Sequence, residues 1–239
     1  MTATHTGRGS RIRFSAVALT VAVLALSGCA SGRNGEAPAP RTVVTLGDSV
    51  AAGAACGCEP FPALYARTQH ATDVDLAESG ATAADVRAGL GGMRADLSSA
   101  AEVIIMIGAN DMADVFSQPS RYGAVADGVE DDVAATVTSI RQLHRVPVVV
   151  LGYWNVVQDG QVGAAAYGAQ GLRDAARATA LVNQALRTAA ARTGATFVPT
   201  EPAFHGDDGG RDPTGLLAPD GDHPNAAGQA AIAALLPPL

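Results

Sequence analysis

The 239-residue chain contains no lysine; arginine supplies all 16 of its basic side chains, against 23 acidic ones. Without a basic patch there is nothing to track a phosphate backbone, so nucleic acid is not an expected partner. Cysteine occurs only at Cys29, Cys56 and Cys58, and two neighbouring thiols without nearby histidines cannot complete a zinc shell. Beyond the first residues the only histidines are His70, His144, His205 and His223, with no His-x-His pair and no second acidic cluster. A metal-dependent phosphoesterase using Asp48, Asn110, Asp222 and His223 is therefore the weaker enzymatic alternative, and no metal or cofactor is expected. Only one long apolar run exists, Phe14 to Leu26, and it is too short to span a bilayer comfortably.

That run has a different use. Arg8, Arg11 and Arg13 precede it and Leu26-Ser27-Gly28-Cys29 closes it, the order of a signal segment. The closing four residues resemble the lipobox of bacterial lipoproteins. The resemblance implies removal of residues 1–28, a diacylglycerol on Cys29, and an exported lipoprotein anchored to the outer face of the cell membrane. A plain secretory signal is the competing interpretation. Residues 29–40, small, polar and proline-rich, read as a flexible tether. Loss of the three leader arginines takes the net charge from −7 to −10, which favours solubility. Residues 41–239 are one domain's worth of chain, enough to bury a full core.

Within that domain, β-branched apolar runs alternate with helical patterns. Strands are expected at Thr42–Leu46, Val74–Ala77, Val103–Ile107, Val146–Leu151 and Thr196–Val198. Helices are expected at Phe61–Thr68, Ala83–Leu90, Ala124–His144, Gly171–Arg192 (stopped by Gly194) and Ala226–Leu236. The third and fourth strands are apolar throughout, as strands covered on both faces of a parallel sheet must be. The alternation implies an open α/β sheet, whose ligands sit at the carboxyl ends of the strands.

The strand ends carry the parts of a serine hydrolase. Ser49 follows the first strand, where a helix is expected to begin; it can be a nucleophile or a helix cap. His223 is the natural base and His205, in a loop, its rival. Asp220 stands three residues before His223, a spacing that in a tight turn brings a carboxylate to the imidazole Nδ1; Asp222 is the competing orienter. Gly80 lets a backbone N–H approach a ligand closely, and Asn110 offers a neutral amide donor. Each alone also fits an ordinary turn.

Taken together, Gly47-Asp48-Ser49, Gly80, Gly108-Ala109-Asn110-Asp111 and Asp220-Gly221-Asp222-His223 resemble the four blocks of the SGNH, or GDSL-type, hydrolase family. The resemblance covers essentially all of residues 41–239 and departs at Val50, where the family name has leucine. It implies a three-layer α/β/α sandwich with a flavodoxin-like, five-stranded parallel sheet, and ester hydrolysis through an acyl-enzyme. It also implies roles: Ser49 attacks, His223 is general base and then acid, and Asp220 orients His223. The Ser49 N–H, the Gly80 N–H and the Asn110 amide form the oxyanion hole. Lipids, aryl esters, thioesters and acetylated sugars are all substrates of the family. Tyr153 and Trp154, after the fourth strand, could line an acyl or sugar pocket. Few aromatics and no large lid insertion favour a short acyl chain. A non-catalytic, lipid-anchored binding protein of the same fold is the remaining alternative. In an oxidising compartment Cys56 and Cys58 are expected to form a small disulfide across Gly57, shaping the loop beside Ser49.

Overall fold

The computed structural model describes residues 41–239. The expected signal segment, the expected lipidation site at Cys29 and the expected tether lie outside the described residues.

Five parallel strands form one sheet: β1 (Thr42–Gly47), β2 (Thr72–Asp75), β3 (Glu102–Met106), β4 (Val148–Leu151) and β5 (Thr196–Val198). Their order across the sheet is β2-β1-β3-β4-β5. Register pairs Val44 with Val74 on one side and Val103 on the other, then Ile104 with Val149 and Val150 with Phe197. Burial explains the composition. β3 and β4 are buried at every position and β1 at all but its first, whereas the edge strands β2 and β5 are partly exposed and carry the polar residues Thr72, Asp73, Asp75 and Thr196.

The helices are α1 (Phe61–Thr68), α2 (Ala83–Gly89), α3 (Arg94–Ser99), α4 (Ala109–Ala113), α5 (Tyr122–Leu143), α6 (Gly160–Thr193), α7 (Glu201–His205) and α8 (Ala226–Ala233). The chain steps outward from β1 to β2, then returns past β1 to β3, β4 and β5. Right-handed crossovers therefore place α1 on one face and α2, α5 and α6 on the other. Accordingly α8 packs on α1, and α5 packs on α2 and α6. This is the α/β/α sandwich expected.

Several boundaries differ from expectation, each for a local reason. β2 starts two residues earlier than expected because pairing with β1 begins at Thr72, and ladder-like bonds continue past it through Leu76 N–H to Thr45 and Glu78 N–H to Gly47. The long helix α6 begins eleven residues early. It contains an extra arm before Gly168, whose φ of 62° breaks the helix there, and ends at Gly194 as expected. The short helices α3, α4 and α7, of five or six residues, are too brief to show an apolar period.

Candidate active site

The sheet reverses its winding between β1 and β3, and there the two strands end side by side, Gly47 opposite Met106. Such a switch point opens a crevice at the strand ends. The chain leaves β1 tied to β3, Asp48 N–H donating to the Met106 carbonyl at 3.2 Å, and Ser49 follows.

No regular helix starts at Ser49, contrary to expectation. Residues 49–56 form consecutive turns, held by Ala52 N–H to Asp48 O (3.0 Å) and Ala54 N–H to Ser49 O (2.9 Å). Positive φ values at Gly53, Ala55 and Gly57 stop this coil from propagating, and α1 begins only at Phe61. The Ser49 side chain thus caps no helix. From α8, the fully buried Gln229 side chain clasps both ends of the loop: its amide N–H donates to the Val50 carbonyl (3.0 Å) and its oxygen accepts from Phe61 N–H (2.8 Å). Cys56 and Cys58 are paired across Gly57 with Cα atoms 5.0 Å apart, further along the same loop.

Asp48 is buried and accepts from Val50 N–H at 3.0 Å and from the hydroxyl of Tyr153 after β4. Burial pushes its pKa up to about 6, against the lowering effect of the Tyr153 and Val50 bonds. Burial, with the Asp48 charge second, pushes the Tyr153 phenol well above its usual value, so the phenol is the donor of the pair. Tyr153 is itself gripped by Asn183 of α6, which accepts from its N–H and donates to its carbonyl, both at 2.8 Å. Tyr153 therefore reaches the site, but its hydroxyl is committed to Asp48. Trp154 stacks on Phe204 with ring centroids 4.0 Å apart.

After β3, Gly108 takes φ 122°, a turn open to glycine, and delivers Asn110 into the first turn of α4. The Asn110 amide donates to Ala81 O at 2.8 Å, and Asp111 accepts from Ala83 N–H at 3.0 Å. These two bonds pin the loop after β2 against α4. One amide hydrogen of Asn110 is used; the second is uncommitted among the described residues. Gly80 lies in the pinned loop, exposed, with φ 86°, and does not line the cavity that Ser49 shares with His223.

His223 sits in a turn before α8. Asp220 Oδ1 accepts from the backbone N–H of Asp222 (3.0 Å) and of His223 (3.1 Å), while its Oδ2 meets His223 Nδ1 at 2.8 Å. Asp220 rather than Asp222 holds the imidazole. Its own pKa is lowered by the three hydrogen bonds, which outweigh a partial desolvation. The turn is anchored by Asp159 N–H to Gly221 O (2.7 Å) and by the Gln158 amide to Asp220 O (3.0 Å). Asn225 caps α8, which starts at Ala226 as expected, and Pro224 precedes the cap.

Ser49, Asn110 and His223 line one cavity of about 270 Å³, shared with Asp222, Phe116, Trp154 and Tyr167. The rival His205 lines none of it; its Nε2 lies 3.0 Å from Asp159, and that contact raises its pKa. His144 ends α5 with its Nε2 2.9 Å from Ala100 O, and His70 lies in the turn after α1. Among the described residues, no three His, Cys, Asp or Glu side chains gather as a metal-binding cluster.

The model of the GDSL-like lipase/acylhydrolase family matches residues 45–231. The chain belongs to that family. As a member it is a carboxylic ester hydrolase. No curated protein sequence matches it. Solved structures share its fold at low identity. A lipase from a goat rumen metagenome is 16% identical, with a TM-score of 0.63 over 81% of this chain and 94% of that one. An acetylxylan esterase from Geobacillus stearothermophilus, as a catalytic mutant, is 18% identical, with a TM-score of 0.61 over 82% and 91%. A phospholipase A1 from Streptomyces albidoflavus NA297 is 24% identical, with a TM-score of 0.59 over 83% and 100%.

Of the residues expected from the sequence, Ser49, Asn110 and His223 meet in one cavity and Asp220 holds His223, whereas the groups that hold them were not foreseen in that role. Asp48, Gln229, Tyr153 and Asn183 act across the fold, and nothing in their local spacing signals it. A buried position for the Asp of a Gly-Asp-Ser turn was the one available hint, since Asp48 follows five consecutive apolar or β-branched residues and Gly47.

Proposed function

We propose that this hydrolase cleaves carboxylic esters through an acyl-enzyme on Ser49. The observation that carries the proposal is the 2.8 Å contact of Asp220 with His223 Nδ1, in a cavity that His223 shares with Ser49 and Asn110. Asp220 accepts a hydrogen bond from Nδ1–H and so leaves Nε2 as the basic nitrogen. Nε2 takes the Ser49 proton as Oγ attacks the ester carbonyl. The oxyanion is received by the Ser49 N–H and the uncommitted hydrogen of Asn110, and the loop that Asn110 pins carries the Gly80 N–H, the third expected donor. His223 then protonates the leaving alcohol, and a water deprotonated by His223 releases the acid. The modest cavity favours a short acyl chain.

The test is a panel of p-nitrophenyl esters of increasing acyl length, together with acetylated sugars, given to wild type and Ser49→Ala. Acetyl and butyryl esters should be the best substrates, and kcat should fall at least about 10³-fold in the variant. Equal hydrolysis by both proteins would sink the nucleophile assignment.

The order of basic segment, apolar run and Leu26-Ser27-Gly28-Cys29 supports a second element of the proposal, anchoring of the mature chain to the outer face of the membrane through lipid on Cys29. In a producing bacterium, Cys29→Ser should move the enzyme from the membrane fraction to the medium or soluble exported fraction. An unchanged distribution rules out the anchor.

A further inference from the structure

Asp222 is left unused by the mechanism above. Its backbone N–H serves Asp220, but its carboxylate makes no hydrogen bond or ion pair among the described residues. The carboxylate is half-buried in the wall of the catalytic cavity, immediately beside His223. Burial raises its pKa, with His223 opposing and Asp220 adding to the rise. The charge is felt across the cavity. Burial is the main cause of the raised pKa values of Asp48 and Tyr167, and Asp222 adds to both.

Position decides which part of a substrate meets this carboxylate. His223 Nε2 must reach the oxygen of the departing alcohol, so the alcohol lies along the wall that His223 shares with Asp222, Gln158 and Tyr167. Other polar groups on the lining are free to pair. Asn155 spends its side-chain oxygen on Val156 N–H and the Thr179 hydroxyl, leaving its NH₂ uncommitted. Tyr167 donates to Gln158 at 3.4 Å, leaving its oxygen able to accept. Phe116 and Tyr167, with centroids 5.1 Å apart and ring planes tilted by 59°, give this side an aromatic border.

We infer that Asp222 sets the enzyme's preference for the alcohol part of its substrate, favouring esters of neutral, polyhydroxylated alcohols of the sugar type over plain alkyl and anionic ones. A hydroxyl both donates and accepts, and so matches a wall that offers a carboxylate beside amide hydrogens. An alkyl group displaces water from the carboxylate and returns no hydrogen bond. A phosphate or carboxylate meets a like charge in a partly desolvated site. A cationic alcohol satisfies Asp222 but leaves the Asn155 donor unpaired. The inference rests on the serine esterase reading and adds the substrate class to it.

The test measures kcat/KM for four acetate esters: a monosaccharide acetate, butyl acetate, the acetate of a phosphorylated glycerol, and acetylcholine. Wild type, Asp222→Asn and Asp222→Ala are compared, with thermal melting as the folding control. The ratio of sugar acetate to butyl acetate should fall about tenfold in Asp222→Ala, the scale of a hydrogen bond to a charged group. The ratio of the anionic ester to butyl acetate should rise about tenfold in Asp222→Asn, and added salt should raise it in wild type only. Both ratios staying within twofold of wild type overturns the inference, as does a wild-type preference for acetylcholine over the sugar acetate. Ser49→Ala separates the two proposals. Activity that survives in it overturns the esterase mechanism, whereas Ser49-dependent activity with unchanged ratios overturns the Asp222 assignment alone.

Discussion

The residue beside Ser49 shows how much of the site is tertiary. Asp48 enters the sequence analysis only within the Gly47-Asp48-Ser49 block and the metal-dependent alternative; its hydrogen-bond partner Tyr153 lies 105 positions away. Burial raises the Asp48 pKa from 3.8 to about 6. The folded state therefore holds the Asp48 proton more tightly than the unfolded chain does. Its stabilising contribution is fully present below pH 3.8 and is lost as pH rises through about 6. Asp48→Asn removes this titration. Urea melts of the two proteins between pH 4 and 7 should show wild type losing stability relative to the variant across that window. A constant difference would show that Asp48 does not titrate there. Ser49, Asp220 and His223, by contrast, were legible because their chemistry is local: a serine at a strand end, and a carboxylate three residues before a histidine. The choice of Asp220 over Asp222 agrees with the three-residue spacing, and the turn supplies its physical reason. Two backbone N–H groups there fix the Asp220 carboxylate.

At the scale of elements, the loop from Ser49 to Phe61 departs most from the expected pattern. Its alanines favour a helix, but Gly53 and Gly57 at positive φ and Pro60 at the entry to α1 break it into turns. With little regular backbone pairing, the loop relies on Gln229, whose two bonds span 179 and 168 positions to Val50 and Phe61. Gln229→Leu should cost about 2–4 kcal/mol, because a buried N–H and a buried carbonyl lose their partners together. It should also slow acylation of Ser49 while altering KM little. Equilibrium unfolding and pre-steady-state bursts check the two expectations; a loss below about 0.5 kcal/mol would show that the clasp is dispensable. The same contrast between local and distant signals governs the helices. α1 was legible to the residue, since Pro62 suits a first turn and Thr68 precedes a turn at Gln69 and His70. The arm of α6 before Gly168 was not, since a glycine-rich segment carries little helix preference.

For the whole molecule, the parallel sheet was the most legible feature. Continuous apolar runs in β3 and β4 imply cover on both faces, and alternation with helices then restricts the architecture. The strand order β2-β1-β3-β4-β5 was expected only through the family resemblance, because no local pattern states which strand neighbours which. That order matters most for function. It sets β1 beside β3 and so brings the Ser49 and Asn110 loops to one crevice, while the turn before α8 places His223 at the same end. The central claim is that the fold assembles these parts around a nucleophilic Ser49. Its most direct measurement is the intact mass of residues 41–239 after exposure to a fluorophosphonate, with peptide mapping of the adduct. One phosphonyl group per chain, on Ser49, absent from Ser49→Ala and slowed at least tenfold in His223→Ala, is the predicted result. Folded wild-type protein that stays unlabelled, or carries the adduct on another residue, would contradict the account.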